Sequence, residues 1–331
     1  MITLGIDTSC DDTSIALLRD DKEIFSNIVS SQVDIHKLFG GVVPEIASRK
    51  HLELIDVIFR NAIEEAGIEI KDIDIICVTS GPGLIGSVLT GLCFAKGLSL
   101  SSGKPLIGVN HVEAHATSIF LEKVPEFPYI ALVVSGGHSI ILLIEGNCLY
   151  RVLGTTRDDA AGEAFDKIAK YLGIGYPGGK AIEDISKKGN RSYVHFPRPM
   201  MEGNDYDFSF SGLKTAFLNY VKKHDIKNEN MHHVLASFQE AICDVLSHKT
   251  MKAARDYSVK RIVVGGGVAA NSRLREVFSE KSEKEHFHVM FSSPHLCTDN
   301  GAMVAITGYR YFQRGFVSGL DVKAYSRMRI F

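Results

Sequence analysis

The chain writes one structural phrase twice, and that repetition limits the folds open to it. Ile2 to Leu18 reads as strand, polar turn, strand, with Asp7-Thr8-Ser9-Cys10-Asp11-Asp12-Thr13 between two apolar stretches. The pattern returns near the middle. Ile130 to Val134 is apolar, Ser135-Gly136-Gly137-His138-Ser139 is a small polar turn, and Ile140 to Ile144 is apolar again. A second echo follows each unit. Asp74 to Val78 leads into the glycine loop Ser80 to Gly83 and a helical stretch to Leu98, and Arg261 to Val264 leads into Gly265-Gly266-Gly267 and a helical stretch to Lys281. Such a duplication predicts two similar α/β domains facing each other across a central cleft. Val124-Pro125-Glu126-Phe127-Pro128 breaks the pattern, so the predicted domains are residues 1–125 and 126–331.

Amphipathic helices supply the cores of both halves. Leu52, Ile55, Phe59, Ala62, Ile63 and Ala66 recur at helical spacing, as do Leu235, Phe238, Ile242, Val245 and Leu246. Both stripes are expected to be core. Arg191 to Tyr206, rich in proline, methionine and polar residues, reads as an irregular loop. A net charge of -2 gives no basic field over the 331 residues, so nucleic acid would be handled through a local patch or with helper proteins. The six cysteines lie far apart without a C-x-x-C pair, which suggests neither a zinc ribbon nor a disulfide framework and fits a reducing cytosol. The first residues carry no basic region and run straight into a strand-like ITLGI, so no signal peptide is expected. Nor is any apolar run expected to reach the ~18 residues of a membrane span.

Three clusters could carry chemistry. In His111-Val112-Glu113-Ala114-His115 the histidines stand four apart, on one helical face, where two imidazoles can reach one metal. Two packed histidines are the plainer alternative. Glu113 sits at the centre instead of beside the first histidine, which argues against a metalloprotease H-E-x-x-H site. The best candidate for a third, oxygen ligand is Asp299 in Thr298-Asp299-Asn300-Gly301-Ala302, where capping of a helix is the competing role. Next come the glycine turns. Ser135 to His138 can present backbone N–H groups to phosphate or acyl oxygens, and Gly265 to Asn271 lies between a strand and a helix, which suits a nucleotide at a helix N-terminus. Neither matches G-x-G-x-x-G or the P-loop. The third cluster, Asp158 to Lys167, opens a helix with Asp159, Glu163 and Asp166 on one face, and small residues between them allow close approach of another group.

Taken together, the duplicated turn-containing hairpins and the late glycine loop resemble the actin-like ATPase superfamily. Within it the chain closely resembles the TsaD family, over nearly its whole length. The resemblance rests on GIDTSCDDTS at 5–14, GGVVPEIASRKH at 40–51, TSGPGLIGSVLTG at 79–91, NHVEAH at 110–115, VSGGHS at 134–139, DDAAGEAFDK at 158–167, YPGG at 176–179, DFSFSGLKTA at 207–216, GGGVAANSRLR at 265–275 and TDNGAM at 298–303. The FSFSGLKTA stretch is more similar to bacterial than to archaeal members. The family often has Glu where this chain has Asp7 and Asp12, so the carboxylates are kept but shortened.

The resemblance implies transfer of a threonylcarbamoyl group from threonylcarbamoyl-AMP to N6 of adenosine 37 in tRNAs that read ANN codons, with release of AMP, in the cytoplasm. It implies a metal held by His111, His115 and Asp299, Fe²⁺ first and Zn²⁺ second. Donor-binding residues of the family match Val134, Ser135, Gly136, Gly137, His138, Asp166, Gly179, Glu183 and Asn271. Asp11 and Asp12 are the candidates for removing the N6 proton. A TsaB-like paralogue on the N-terminal domain and a TsaE-like ATPase are the implied partners, and no membrane is involved. Two other readings stand beside this one. A small-molecule kinase of the same superfamily would use Mg²⁺, which prefers oxygen to imidazole ligands. An inactive scaffold subunit of a tRNA-modification complex should lack the ligand set that His111, His115 and Asp299 provide.

Overall fold

In the computed structural model, which describes residues 1–224 and 228–328, the chain divides by its contacts into two compact units. The first comprises Met1–Pro125 together with the chain from Thr298 onward, and the second is Glu126–Cys297. Each is built on one five-stranded sheet.

The first sheet contains β1 (Ile2–Asp7), β2 (Asp12–Arg19), β3 (Glu23–Ser31), β4 (Ile75–Gly81) and β5 (Leu106–Asn110), in the order β3-β2-β1-β4-β5. The second contains β6 (Tyr129–Val134), β7 (Ser139–Gly146), β8 (Leu149–Thr155), β9 (Arg261–Gly265) and β10 (His288–Phe291), in the order β10-β9-β6-β7-β8. The two orders are the same topology. In each, the first three strands form an antiparallel meander, and the first strand pairs in parallel with the fourth, which pairs in parallel with the fifth. The central strands are apolar on both faces, as a sheet covered on both sides requires.

Helix Pro44–Ala66 buries Ile55, Ile58, Phe59 and Ala62 against the first sheet, and Gly67 at φ +63° ends it in the left-handed conformation. Leu52, expected in that core stripe, is instead 72% exposed. In helix Asn228–Asp256 of the second unit, Leu235, Phe238, Ile242, Val245 and Leu246 are all buried as expected.

Two further expectations are corrected. The segment from Thr298, placed by sequence with residues 126–297, belongs to the first unit. Its helix Gly301–Gln313 lies so close to β1 and β4 that a Cβ on Gly5 of β1 would fall 2.1 Å from the Gly301 carbonyl oxygen, and one on Gly308 would fall 2.2 Å from Sγ of Cys77 on β4. Small residues at 301, 305 and 308 make that approach possible. Second, one helix among the described residues, Ile85–Ser102, is long and apolar enough to cross a membrane by length and composition. It buries Ser87, Val88, Gly91, Leu92, Ala95 and Ser99 within the first unit and leaves Ile85, Leu89 and Leu100 exposed.

Candidate metal centre and donor-binding loops

A helix of seven residues carries both histidines. β5 ends at Asn110, whose side-chain oxygen accepts the N–H groups of Val112 at 2.9 Å and Glu113 at 3.3 Å and so starts helix His111–Thr117. Every residue of that helix is buried. The four-residue spacing stacks the two imidazoles edge to face, with centroids 4.6 Å apart. Asp299 comes from the other end of the same unit. Capping of helix Gly301–Gln313 falls to Asn300, which accepts the Met303 N–H at 3.0 Å, and not to Asp299. Its Oδ1 lies 3.1 Å from His115 Nε2 and 3.6 Å from His111 Nε2.

One ligand atom from each of these three residues lies within 4.8 Å of the others, so the cluster could hold a metal ion. The donor set fits a divalent cation of intermediate softness, with two buried imidazole nitrogens and one partly exposed carboxylate oxygen converging. Charge balance agrees. Burial alone would depress the His111 pKa, but Asp299 and Asp7 outweigh it and raise it to about 9. In the absence of a cation, positive charge in this place is thus carried by a proton on His111.

The acidic turn between β1 and β2 adjoins this cluster. Burial, then the charge of Asp299, pushes the Asp12 carboxyl up to about 7, against a hydrogen bond from Ser31 that lowers it. Asp12 Oδ1 is buried and has no hydrogen-bond partner among the described residues. Asp11 is also raised, chiefly by burial. The turn is held from behind by buried polar groups: His51 Nε2 lies 3.0 Å from the Cys10 carbonyl oxygen, and Thr13 Oγ1 lies 2.8 Å from His51 Nδ1.

The remaining sequence-predicted residues lie in the second unit. The turn from β6 to β7 is closed by the Ser135 N–H donating to the His138 carbonyl at 2.8 Å. Two glycines pack onto it. A Cβ on Gly162 would fall 2.5 Å from the Ser135 carbonyl oxygen, and one on Gly266, at φ +91°, would fall 2.4 Å from that of Val134. The 135–138 turn, the start of helix Ala161–Leu172 and the 265–267 loop are therefore in contact. Gly136 and Gly137 are exposed, and a Cβ on either would meet nothing within 4 Å.

Asp166 is not merely a solvated acid. Its Oδ1 accepts the Gly178 N–H at 2.7 Å and so holds the start of helix Gly178–Ser186, whose second residue is Gly179. Glu183 Oε1 accepts the backbone N–H of Ser272 at 2.9 Å and also its hydroxyl. Asn271 Oδ1 caps helix Ser272–Glu285 through the Leu274 N–H at 3.1 Å, while its Nδ2 donates to Gln239 Oε1 at 3.0 Å.

Sequence reasoning grouped Asp159 and Glu163 with Asp166, but they do other work. Asp159 is clamped by Lys167 at 2.6 Å and Lys214 at 2.7 Å, and Glu163 also pairs with Lys167. Ser272, Gln239 and Lys214 were missed. Lys214 and Ser272 had a local signal, since they lie within the FSFSGLKTA and GGGVAANSRLR segments, and Gln239 had none. Asp7 was noted only for its length.

Fold and site together define an actin-like ATPase-fold protein with a His/His/Asp cluster. The structure is similar over 95% of this chain to HypF from T. kodakarensis (TM-score 0.65, 15% identity, 48% of that chain). It is similar over 95% of this chain, and 97% of the other, to the activator of 2-hydroxyisocaproyl-CoA dehydratase from Clostridium difficile with bound ADPNP (TM-score 0.56, 13% identity). At such identities these likenesses show the fold alone. Sequence comparison narrows the class. Residues 23–306 match the model of the TsaD family, tRNA N6-adenosine threonylcarbamoyltransferase. Proteins of that name from Thermosipho africanus and Syntrophus aciditrophicus are each 53% identical, over 100% and 99% of this chain and 100% and 97% of their own lengths. The chain belongs to the TsaD family. It is a transferase of tRNA modification, and neither the kinase nor the scaffold reading is favoured.

Proposed function

We propose that this chain transfers the threonylcarbamoyl group of threonylcarbamoyl-AMP to N6 of adenosine 37 in ANN-decoding tRNAs. The N6–carbonyl bond forms, the bond from the acyl carbon to the phosphate oxygen breaks, AMP leaves with the electron pair, and the N6 proton passes to a base. The observation that carries the reading is the convergence of His111, His115 and Asp299 beside an acidic turn, in a chain of this family.

The donor is already activated, so no covalent nucleophile is required, and catalysis rests on positioning and charge stabilisation. The second unit supplies the donor site. N–H groups around Gly136 and Gly137, open to solvent, bind donor oxygens, and Val134, Ser135 and His138 shape that turn. Asp166, Gly179 and Glu183 face the ribose, and Asn271 with its Gln239 contact fixes the helix start on the nucleotide side. His111, His115 and Asp299 would hold the cation, Fe²⁺ in preference to Zn²⁺, which when bound would supply Lewis-acid polarisation of a carbonyl. Asp12 is the better of the two candidate bases, because its carboxyl is pushed up to about 7 and its Oδ1 has no partner among the described residues.

The setting is cytoplasmic, with a TsaB-like paralogue and a TsaE-like ATPase as partners. Leu52 on helix Pro44–Ala66 and Ile85 and Leu89 on helix Ile85–Ser102 are at least half exposed, and the two helices pack together, which supports docking of the paralogue there. Calorimetric titration tests the donor assignment. A non-hydrolysable threonylcarbamoyl-AMP analogue should bind in preference to ATP, and ATP with common sugars should give no phosphorylated product. Tighter ATP binding with sugar phosphorylation would refute the proposal.

A further inference from the structure

Behind one of the two imidazoles stands a fourth side chain that the cation-binding triad does not include. Asp7, the last residue of β1, is wholly buried. Its Oδ2 lies 3.6 Å from His111 Nδ1, while Nε2 of the same ring faces Asp299 Oδ1 at 3.6 Å. The His111 ring is thus held between two carboxylates. Ser9 fixes the Asp7 side chain from the turn that follows: its N–H donates to Oδ1 at 3.2 Å and its hydroxyl to Oδ2 at 3.3 Å. The same hydroxyl lies 3.5 Å from Asp299 Oδ2 and so touches both carboxylates. His115 has no such support, and its Nδ1 is buried without a hydrogen-bond partner among the described residues.

A metal-bound imidazole needs its other nitrogen protonated and directed, and a carboxylate behind it fixes both the tautomer and the ring plane. We propose that Asp7 is a positioning residue for the cation site: it takes the His111 Nδ1–H and thereby presents Nε2, unprotonated, toward Asp299 and His115. The 3.6 Å contact closes to a hydrogen bond by a small rotation of the ring. The proposal rests on the assignment of His111, His115 and Asp299 as the cation site.

The test is metal binding by the full-length chain, stripped with chelator and titrated with Co²⁺. Asp7→Asn keeps the shape of the side chain and removes its charge. It should weaken Co²⁺ binding by about 10- to 100-fold, the usual cost of losing such a partner, while still saturating at one equivalent, and should shift the visible bands of the bound ion. In a His111→Ala background the same substitution should change affinity less than about threefold, since its effect acts through that ring. A role confined to holding the turn would lower the melting temperature equally in both backgrounds and leave Co²⁺ affinity and spectrum unchanged, and that result overturns the proposal. If Asp7→Asn does not fold, Asp7→Gln compared with Asp7→Glu reads the same partner: weaker Co²⁺ binding by the glutamine variant than by the glutamate variant supports the proposal, and equal binding overturns it. Failure of the site assignment itself looks different, because His111→Ala/His115→Ala would then retain one full equivalent.

Discussion

Replacing Asp12 by asparagine should make the metal-free protein more stable while it removes activity. Holding a carboxyl near 7 instead of at its ordinary 3.8 costs the folded state about 4 kcal/mol once the group is ionised, at 1.36 kcal/mol per pKa unit. The largest part comes from burial, the next from the Asp299 charge. Asparagine keeps the shape and the polar contacts but carries no charge, although burying its amide returns some of the gain. A net stabilisation of about 1–2 kcal/mol remains. The sign with pH follows from the direction of the shift. Between about pH 4 and pH 7 the folded protein binds more protons at Asp12 than the unfolded chain does, so wild-type stability falls as pH rises through that range. The variant lacks this loss. Its advantage should be absent at pH 4, grow to pH 7 and stay level above it. Urea unfolding of both proteins with chelator present, at pH 4.5 and pH 8, measures the difference. Added cation should narrow it, by neutralising the repulsion from Asp299. A variant less stable at pH 8, or a difference that does not change with pH, would show Asp12 to be a satisfied structural carboxylate instead.

Three other variants follow from the geometry. Asp166→Ala should weaken binding of a threonylcarbamoyl-AMP analogue by about 1.5–3 kcal/mol in calorimetry; because it also releases the Gly178 N–H, the melting temperature should fall as well, and unchanged affinity would remove Asp166 from the donor site. Asp158 accepts hydrogen bonds from the backbone of Phe210 and Ser211 and from the Ser209 hydroxyl, which overcome the effect of burial and hold its pKa below the ordinary value. Asp158→Ala should therefore cost about 1 kcal/mol in urea unfolding at pH 7, and the gap should close as pH falls through the folded pKa of that carboxyl. Ile85→Asp with Leu52→Asp should abolish association with a TsaB-like partner in analytical ultracentrifugation without lowering the melting temperature, since both side chains are exposed.

Much of the architecture was legible because it is periodic. The strand–turn–strand phrase and the glycine loops recur in order, and the two sheets repeat one topology from them. The pair His111 and His115 was legible for the same reason, since helical spacing alone puts four-apart residues on one face. Periodicity does not say which sheet a terminal helix will join. Gly301, Ala305 and Gly308 mark a face made for close packing, but their partners, Gly5 and Cys77, lie some 230 to 300 residues away in sequence, so Asp299 was assigned to the wrong unit although its role as a ligand candidate was seen. Leu52 illustrates a second limit: apolar spacing locates a stripe, and whether a residue at its edge is covered depends on neighbours that the pattern does not name. The roles of Asn300 and Asp299 could not be separated in sequence, because adjacent Asp and Asn are both good helix caps. Asp7 carried no signal of its own, since its function arises from a ring brought to it by β5 and the helix that follows.

The most direct test of the account is a single-turnover assay with threonylcarbamoyl-AMP labelled in its threonine, an ANN-decoding tRNA and the partner proteins. Label is expected on N6 of adenosine 37 in equal amount with AMP released, and none on the tRNA when His111→Ala/His115→Ala replaces the native chain. Transfer at the native rate by that double variant, or label that never reaches the tRNA although the donor is consumed, would contradict it.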